Sequence, residues 1–268
     1  MPSDSARPRA SGVAQDSAAP KAKSNGTMTP GRIARRAALA APAIAFAVLA
    51  YSYLSLPDVR PLRTANPSTT AFMELRAREA RGKGQPPRRL QRWVAYSRIS
   101  PDAKRAVLLA EDAAFWQHEG IDFEQLQESI EADWARGQLL RGGSTITQQL
   151  AKNLYLSPSK NPVRKLRELV IARRLEAELK KSRILELYLN IIEWGDGIYG
   201  IEAAARAYFH KSAAELGADE AALLAGAIIN PRVHNPARPT ARLLRRQQLI
   251  LRRMGAVTPP QESAQLER

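Results

Sequence analysis

The run ILELYLNIIEWGDGIYGIEAAARAYF, Ile184 to Phe209, admits two incompatible structures. Gly195-Asp196-Gly197-Ile198-Tyr199-Gly200 fits G-x-G-x-x-G, the turn that cradles a dinucleotide pyrophosphate. That turn must follow a strand and open a helix inside a βαβ unit. Here Ile184, Leu185, Tyr188, Leu189, Ile191 and Ile192 recur at helical spacing before it. The glycines therefore read as a turn between two helices, and no nucleotide site is expected.

Working outward, the same period continues on both sides. Ser100 and Pro101 read as N-cap and first residue of a helix that Gly120 stops. Asn161-Pro162 opens a helix through Lys180, and Ser182 opens the one quoted above. Ser212 and Glu215 form a capping-box pair, Asp219 to Ile229 is an Ala/Leu-rich buried helix ended by Asn230-Pro231, and Thr240 to Met254 is a basic helix closed by Gly255. With no series of strands alternating with helices and no internal repeat, the fold class is mainly α.

The N-terminal part has a different character. Residues 1–36 are rich in Ser, Ala, Pro and Gly and carry seven Lys/Arg against two Asp, the composition of a flexible basic tail. Residues 37–56, AALAAPAIAFAVLAYSYLSL, contain no charge, and a helix of that length spans a bilayer core of ~30 Å. Arg32, Arg35 and Arg36 precede it, which places the N-terminus in the cytoplasm and the rest of the chain outside. Val48-Leu49-Ala50 also suits signal-peptide cleavage, but the basic region before it is unusually long for a signal peptide. Pro57 to Thr70 reads as an extended linker, followed by a basic polar stretch to Arg92. The expected organisation is a cytoplasmic tail (1–36), a transmembrane anchor (37–56), a catalytic domain (57–256) and a flexible C-terminal tail (257–268).

The 268 residues carry 41 Lys/Arg against 26 Asp/Glu, a net +15, so the natural partners are anionic: nucleic acid, phospholipid headgroups or a phosphorylated substrate. The absence of cysteine excludes disulfides, zinc ribbons and thiol nucleophiles. His118, His210 and His234 are too far apart in sequence for a compact metal motif.

Four segments bear chemistry. In EDAAFWQHEG (Glu111 to Gly120), helical spacing sets Glu111, Phe115 and His118 on one stripe; the same residues also fit a solvated acidic patch with a half-buried His. RGGSTITQQLAKN (Arg141 to Asn153) offers hydroxyls, the Gln148 and Gln149 amides and Lys152 as donors to a sugar and a phosphate; a polar helix N-cap fits equally. RKLRE (Arg164 to Glu168) spaces Arg164 and Glu168 as an i,i+4 pair, which on spacing alone is a surface ion pair worth about 0.2–0.5 kcal/mol. Ser157-Pro158-Ser159-Lys160 fits S-x-x-K of penicillin-binding transpeptidases, but no S-D-N or K-T-G follows, so the match is accidental.

Taken together, EDAAFWQHEG, GGSTITQQLAKN, RKLRE and ILELYLNIIEWGDGIYGIEAAARAYF resemble, in order and spacing, the successive motifs of the family 51 peptidoglycan glycosyltransferases. The resemblance runs from about Pro57 to Gly255 and includes no transpeptidase domain. It implies a lysozyme-like helical domain, held by one N-terminal transmembrane helix at the outer face of the bacterial inner membrane. Such a domain polymerises lipid II into β-1,4-linked glycan and releases undecaprenyl pyrophosphate. Carried over residue by residue, Glu111 is the general base, and Lys152 and Arg164 face the leaving pyrophosphate. Glu168, the second family carboxylate, either orients those cations or holds a divalent ion, Mg or Mn. Asp112, Phe115 and His118 complete the first motif. Thr145, Gln148 and Gln149 shape the substrate cleft, with Lys160 in the loop beyond. The implied partners are lipid II, the growing glycan chain, inner-membrane phospholipid and other cell-wall synthesis proteins, with no nucleic acid.

Asp122 to Leu140, with Phe123, Leu126, Ile130 and Trp134, suits either a lipid-dipping segment or an ordinary amphipathic helix. Two other functions compete. A lytic transglycosylase or muramidase would cleave the same glycan with a catalytic Glu, but hydrolysis needs no basic pyrophosphate cradle. A membrane-tethered nucleic-acid-binding protein would use the +15, yet the tail holds +5 of it, leaving +10 for the remainder, which suits an anionic membrane equally.

Overall fold

A computed structural model describes residues 40, 42–43, 46–47, 50–51, 54–125, 127, 143–156 and 161–256. The chain divides into two units, Met1–Tyr51 and Ser52–Arg268. In the first, the described residues are helical, and Phe46 and Tyr51 are exposed. Among the described residues no helix is long and apolar enough to cross a membrane. The basic tail (1–36), much of the expected anchor (37–56), Lys160 and the C-terminal tail (257–268) lie outside the described residues.

The second unit is mainly helical. Its helices are α1 (Ala71–Gly82), α2 (Pro101–Glu111), α3 (Ile146–Tyr155), α4 (Pro162–Glu178), α5 (Lys181–Ile191), α6 (Ile201–Phe209), α7 (Ala218–Ala227) and α8 (Ala241–Ala256). α5 is the central element: Ile184, Leu185, Leu187, Tyr188, Leu189, Asn190 and Ile191 are all buried, as in a core helix, while Arg183 and Glu186 are half-buried. It packs against α3, which in turn packs against α4 and α1. On the other side α7 packs against both α2 and α8. Asn161 caps α4 by accepting from the Val163 N–H at 2.8 Å, and the Ser212–Glu215 capping box is present.

Three expectations are corrected. α2 ends at Glu111, well before Gly120, because Asp112 leaves the helix at φ −165°, ψ 79°, and its carboxylate is engaged elsewhere. Phe115 and His118 therefore do not continue a helical stripe from Glu111. The stretch after Thr70 holds a helix, α1, which Thr70 caps by accepting from Met73 N at 3.1 Å; Met73 is its one buried residue, too few to show as a periodic pattern.

The glycine run after α5 is a small hairpin rather than a plain turn. β2 (Glu193–Gly195) pairs antiparallel with β3 (Ile198–Tyr199), and β1 (Leu90–Gln91) pairs parallel with β3. Gly197 (φ 71°) lets the hairpin approach Arg88, and Gly200 (φ 84°) lets α6 start against the Asn190 carbonyl, 2.7 Å from where a Cβ would sit. The glycines serve backbone packing, and no phosphate-binding unit is formed.

Candidate active site

Glu111 is the last residue of α2, and its side chain is 13% exposed. Its Oε2 accepts from Gln149 Nε2 on α3 at 2.9 Å, and Arg246 of α8 lies 3.7 Å from its Oε1. Burial raises its pKa above the ordinary carboxylate value; the Gln149 hydrogen bond and the charges of Arg246 and Lys152 oppose the rise, and Asp112 adds to it. A carboxylate shifted upward yet still partly exposed is a stronger base than an ordinary surface carboxylate.

Asp112 works differently. Its buried carboxylate accepts from His118 Nε2 through Oδ1 and from the Ile146 backbone N–H through Oδ2, both at 2.9 Å. His118 Nδ1 accepts from the Gly120 N–H at 3.1 Å, so Nε2 carries the ring hydrogen donated to Asp112. Thr145, fully buried, donates to Gly120 O at 2.7 Å and accepts from Gln148 N, forming the N-cap of α3. Gln148 Nε2 donates to the same Gly120 carbonyl at 3.2 Å. Phe115 has no exposed surface; it packs edge-on against Trp116 and His118, beneath the Lys181 ammonium at 4.4 Å. These five residues fasten the segment after Glu111 to the start of α3.

A second cluster lies on α3 and α4. Glu168 is 3% exposed, and its two oxygens are each held by a cation: Arg164 at 2.8 Å and Lys165 at 2.6 Å. This is a buried carboxylate neutralising two cations, and not the surface pair that i,i+4 spacing alone suggests. Lys165 also donates to Gln148 Oε1 at 3.1 Å, which ties the cluster to α3. Lys152 of α3 is exposed and has no hydrogen-bond or ion-pair partner among the described residues. Its pKa is lowered, first by desolvation and then by the charges of Lys165 and Arg164, against the attraction of Glu168 and Glu111. Lys152 thus lies in the electrostatic field of both the Glu111 carboxylate and the Arg164–Lys165–Glu168 cluster.

With both its oxygens occupied by cations, Glu168 does not fit a divalent metal. Among the described residues, the one group with ligand-like spacing is Asp112, His118 and Asp122, whose donor atoms lie within 4.8 Å of one another. Asp112 and His118 are already satisfied by each other and by backbone N–H groups.

Sequence reasoning assigned no role to Lys165, Arg246 or Tyr188, which donates to Gln149 at 2.9 Å. Lys165 lies inside RKLRE and could have been found there. Arg246 carries no local signal, because α8 reaches Glu111 through packing against α2.

A helical domain that holds a mostly buried carboxylate and a set of fixed cations within one another's electrostatic reach can move a proton and stabilise an anion in one site. The transglycosylase family model matches residues 80–255, and the chain belongs to that family. Among its relatives are proteins named biosynthetic peptidoglycan transglycosylase. Those of Laribacter hongkongensis (50% identical over 197 residues, 73% of this chain and 86% of that protein) and Dechloromonas aromatica (48% over 195 residues, 73% and 84%) are two of them. The protein of that name from Chromobacterium violaceum is 41% identical over 218 residues, 81% of this chain and 96% of its own length.

Proposed function

We infer that this chain is a peptidoglycan glycosyltransferase that polymerises lipid II into β-1,4-linked glycan with release of undecaprenyl pyrophosphate. Glu111 accepts the proton of the acceptor GlcNAc 4-hydroxyl as that oxygen attacks the donor MurNAc anomeric carbon. The bond from that carbon to the pyrophosphate breaks with inversion, and its electron pair leaves on the pyrophosphate oxygen. Negative charge grows there in the transition state, where fixed cations contribute most. Lys152 and Arg164 supply them, and Glu168 holds Arg164 and Lys165 in place. Thr145, Gln148, Asp112, His118 and Phe115 keep the segment after Glu111 in register with α3.

The observation that carries this reading is the position of Lys152, an exposed cation in the field of both the candidate base and the paired cations of α4. A glycan-cleaving enzyme has no anionic leaving group for such a cluster to meet, and the relatives bear biosynthetic names. The anchor reading of residues 37–56, with the N-terminus cytoplasmic and a lysozyme-like domain outside, follows from the same inference: lipid II is itself membrane-bound, so an anchored enzyme meets it in two dimensions. Purified protein incubated with lipid II, with and without moenomycin, tests the function. Growth of a polymer that moenomycin stops is expected, and shortening of added glycan would overturn the proposal.

A further inference from the structure

The geometry points to Tyr188 as a positioning residue that fixes which end of the Gln149 amide faces Glu111. The inference rests on Glu111 being the base.

Gln149 stands between two groups. Its Nε2 donates to Glu111 Oε2, and its Oε1 accepts from Tyr188 Oη, both at 2.9 Å. A carboxamide is nearly symmetric in shape but opposite in function at its two ends. Turned over, it would set a carbonyl oxygen against the carboxylate, a contact tolerated only by a protonated Glu111. The partner behind the amide therefore selects the form of Glu111 in front of it.

Tyr188 is suited to that task. It sits in the middle of α5 with no exposed surface, so it has no water to donate to instead. Burial, with the charges of Glu111 and Asp112, holds its phenol pKa well above 10.0, so it keeps its hydrogen throughout the working range. A reversed amide would leave that buried O–H without an acceptor, at a cost comparable to a lost hydrogen bond. Among the described residues, Glu111 is bonded by Gln149 of α3 and feels the charges of Arg246 from α8, Lys152 from α3 and Asp112 next to it in the chain. Gln149 alone among them can change from donor to acceptor by rotating, which is why a lock is needed there.

The test uses the full chain carrying Tyr188→Phe. Tyr199→Phe serves as the control, since Tyr199 is also buried but its hydroxyl has no hydrogen-bond partner among the described residues. With carboxyl-labelled glutamate, the Glu111 pKa read by carbon NMR should rise by about one unit in Tyr188→Phe, equivalent to a roughly tenfold loss of ionised base on the acidic limb of the pH–rate profile. Tyr199→Phe should match the wild type in both readouts. In a Gln149→Ala background, Tyr188→Phe should add no further change beyond about twofold, because the residue it acts through is gone. A rise in the Glu111 pKa without loss of turnover would support the lock and overturn Glu111 as base. An unmoved pKa, or independent effects of Tyr188→Phe and Gln149→Ala, would overturn the lock. Should Tyr188→Phe not fold, the Glu111 pKa in Gln149→Ala decides: if it equals the wild-type value, Gln149 donates nothing to be positioned and the lock is overturned.

Discussion

Asp112 accepts the backbone N–H of Ile146 at 2.9 Å, so the residue directly after Glu111 is bonded to the first turn of the helix that carries Gln149 and Lys152. The two residues are 34 apart in sequence, and this bond, together with the Gln149–Glu111 hydrogen bond, ties the candidate base to the helix of a candidate cation. Replacing Asp112 with Ala leaves both His118 Nε2 and the Ile146 N–H without their acceptor in a buried place. A loss of about 1–3 kcal/mol in stability is expected. Polymerisation should fall with it, since the base and Lys152 lose their common frame. Denaturant melts beside lipid II turnover check this; full stability together with full turnover would refute it.

Glu111→Gln keeps the shape and hydrogen bonding of the site but removes its basicity. Glycan polymerisation should fall by ~10² to 10⁴. The stability consequence has the opposite sign. Because burial raises the folded pKa of Glu111 above 4.5, the group's contribution is fully present below that value and is lost as pH rises through the raised folded value. The neutral glutamine has no such loss, so the variant should melt no lower than wild type at neutral pH. Turnover above about half of wild type would remove Glu111 from the role of base.

The cations are separable by position. Lys152→Ala and Arg164→Ala should each lower turnover by about 10²-fold, the scale for removing one group aimed at developing charge. Arg245 is exposed on α8, and Arg245→Ala should stay within about twofold of wild type, as a solvated charge does. Single-turnover rates with lipid II measure all three. Equal small effects would mean that the basic surface has no catalytic part.

Removing residues 1–51 should leave a folded catalytic unit, because Arg167 bonds the Ser55 carbonyl at 3.1 Å and Leu56 packs against the core, and both stay in the shortened chain. That unit should polymerise lipid II in detergent but support less synthesis in intact membranes. Carbonate-wash fractionation and N-terminal sequencing of the mature full chain measure the anchoring directly. A mature chain that begins at Tyr51 and washes off freely would show cleavage in place of an anchor.

Much of this was determined by the sequence alone. Helical spacing in Ile184–Ile192 rejected a nucleotide fold against a literal glycine motif, since burying one helical face imposes a period that a strand lacks. The caps at Asn161 and Ser212 were legible because capping is chemistry between near neighbours. Family motifs marked Glu111, Lys152, Arg164 and Glu168. What those residues do to one another was not legible. The early end of α2 depends on Asp112 finding His118 and Ile146, the burial of Glu168 depends on how α4 lies on α3, and the approach of Arg246 to Glu111 depends on α8 packing against α2. Each is a contact between segments far apart in the chain, where periodicity carries no information. Only the packed core decides which distant polar groups meet out of water.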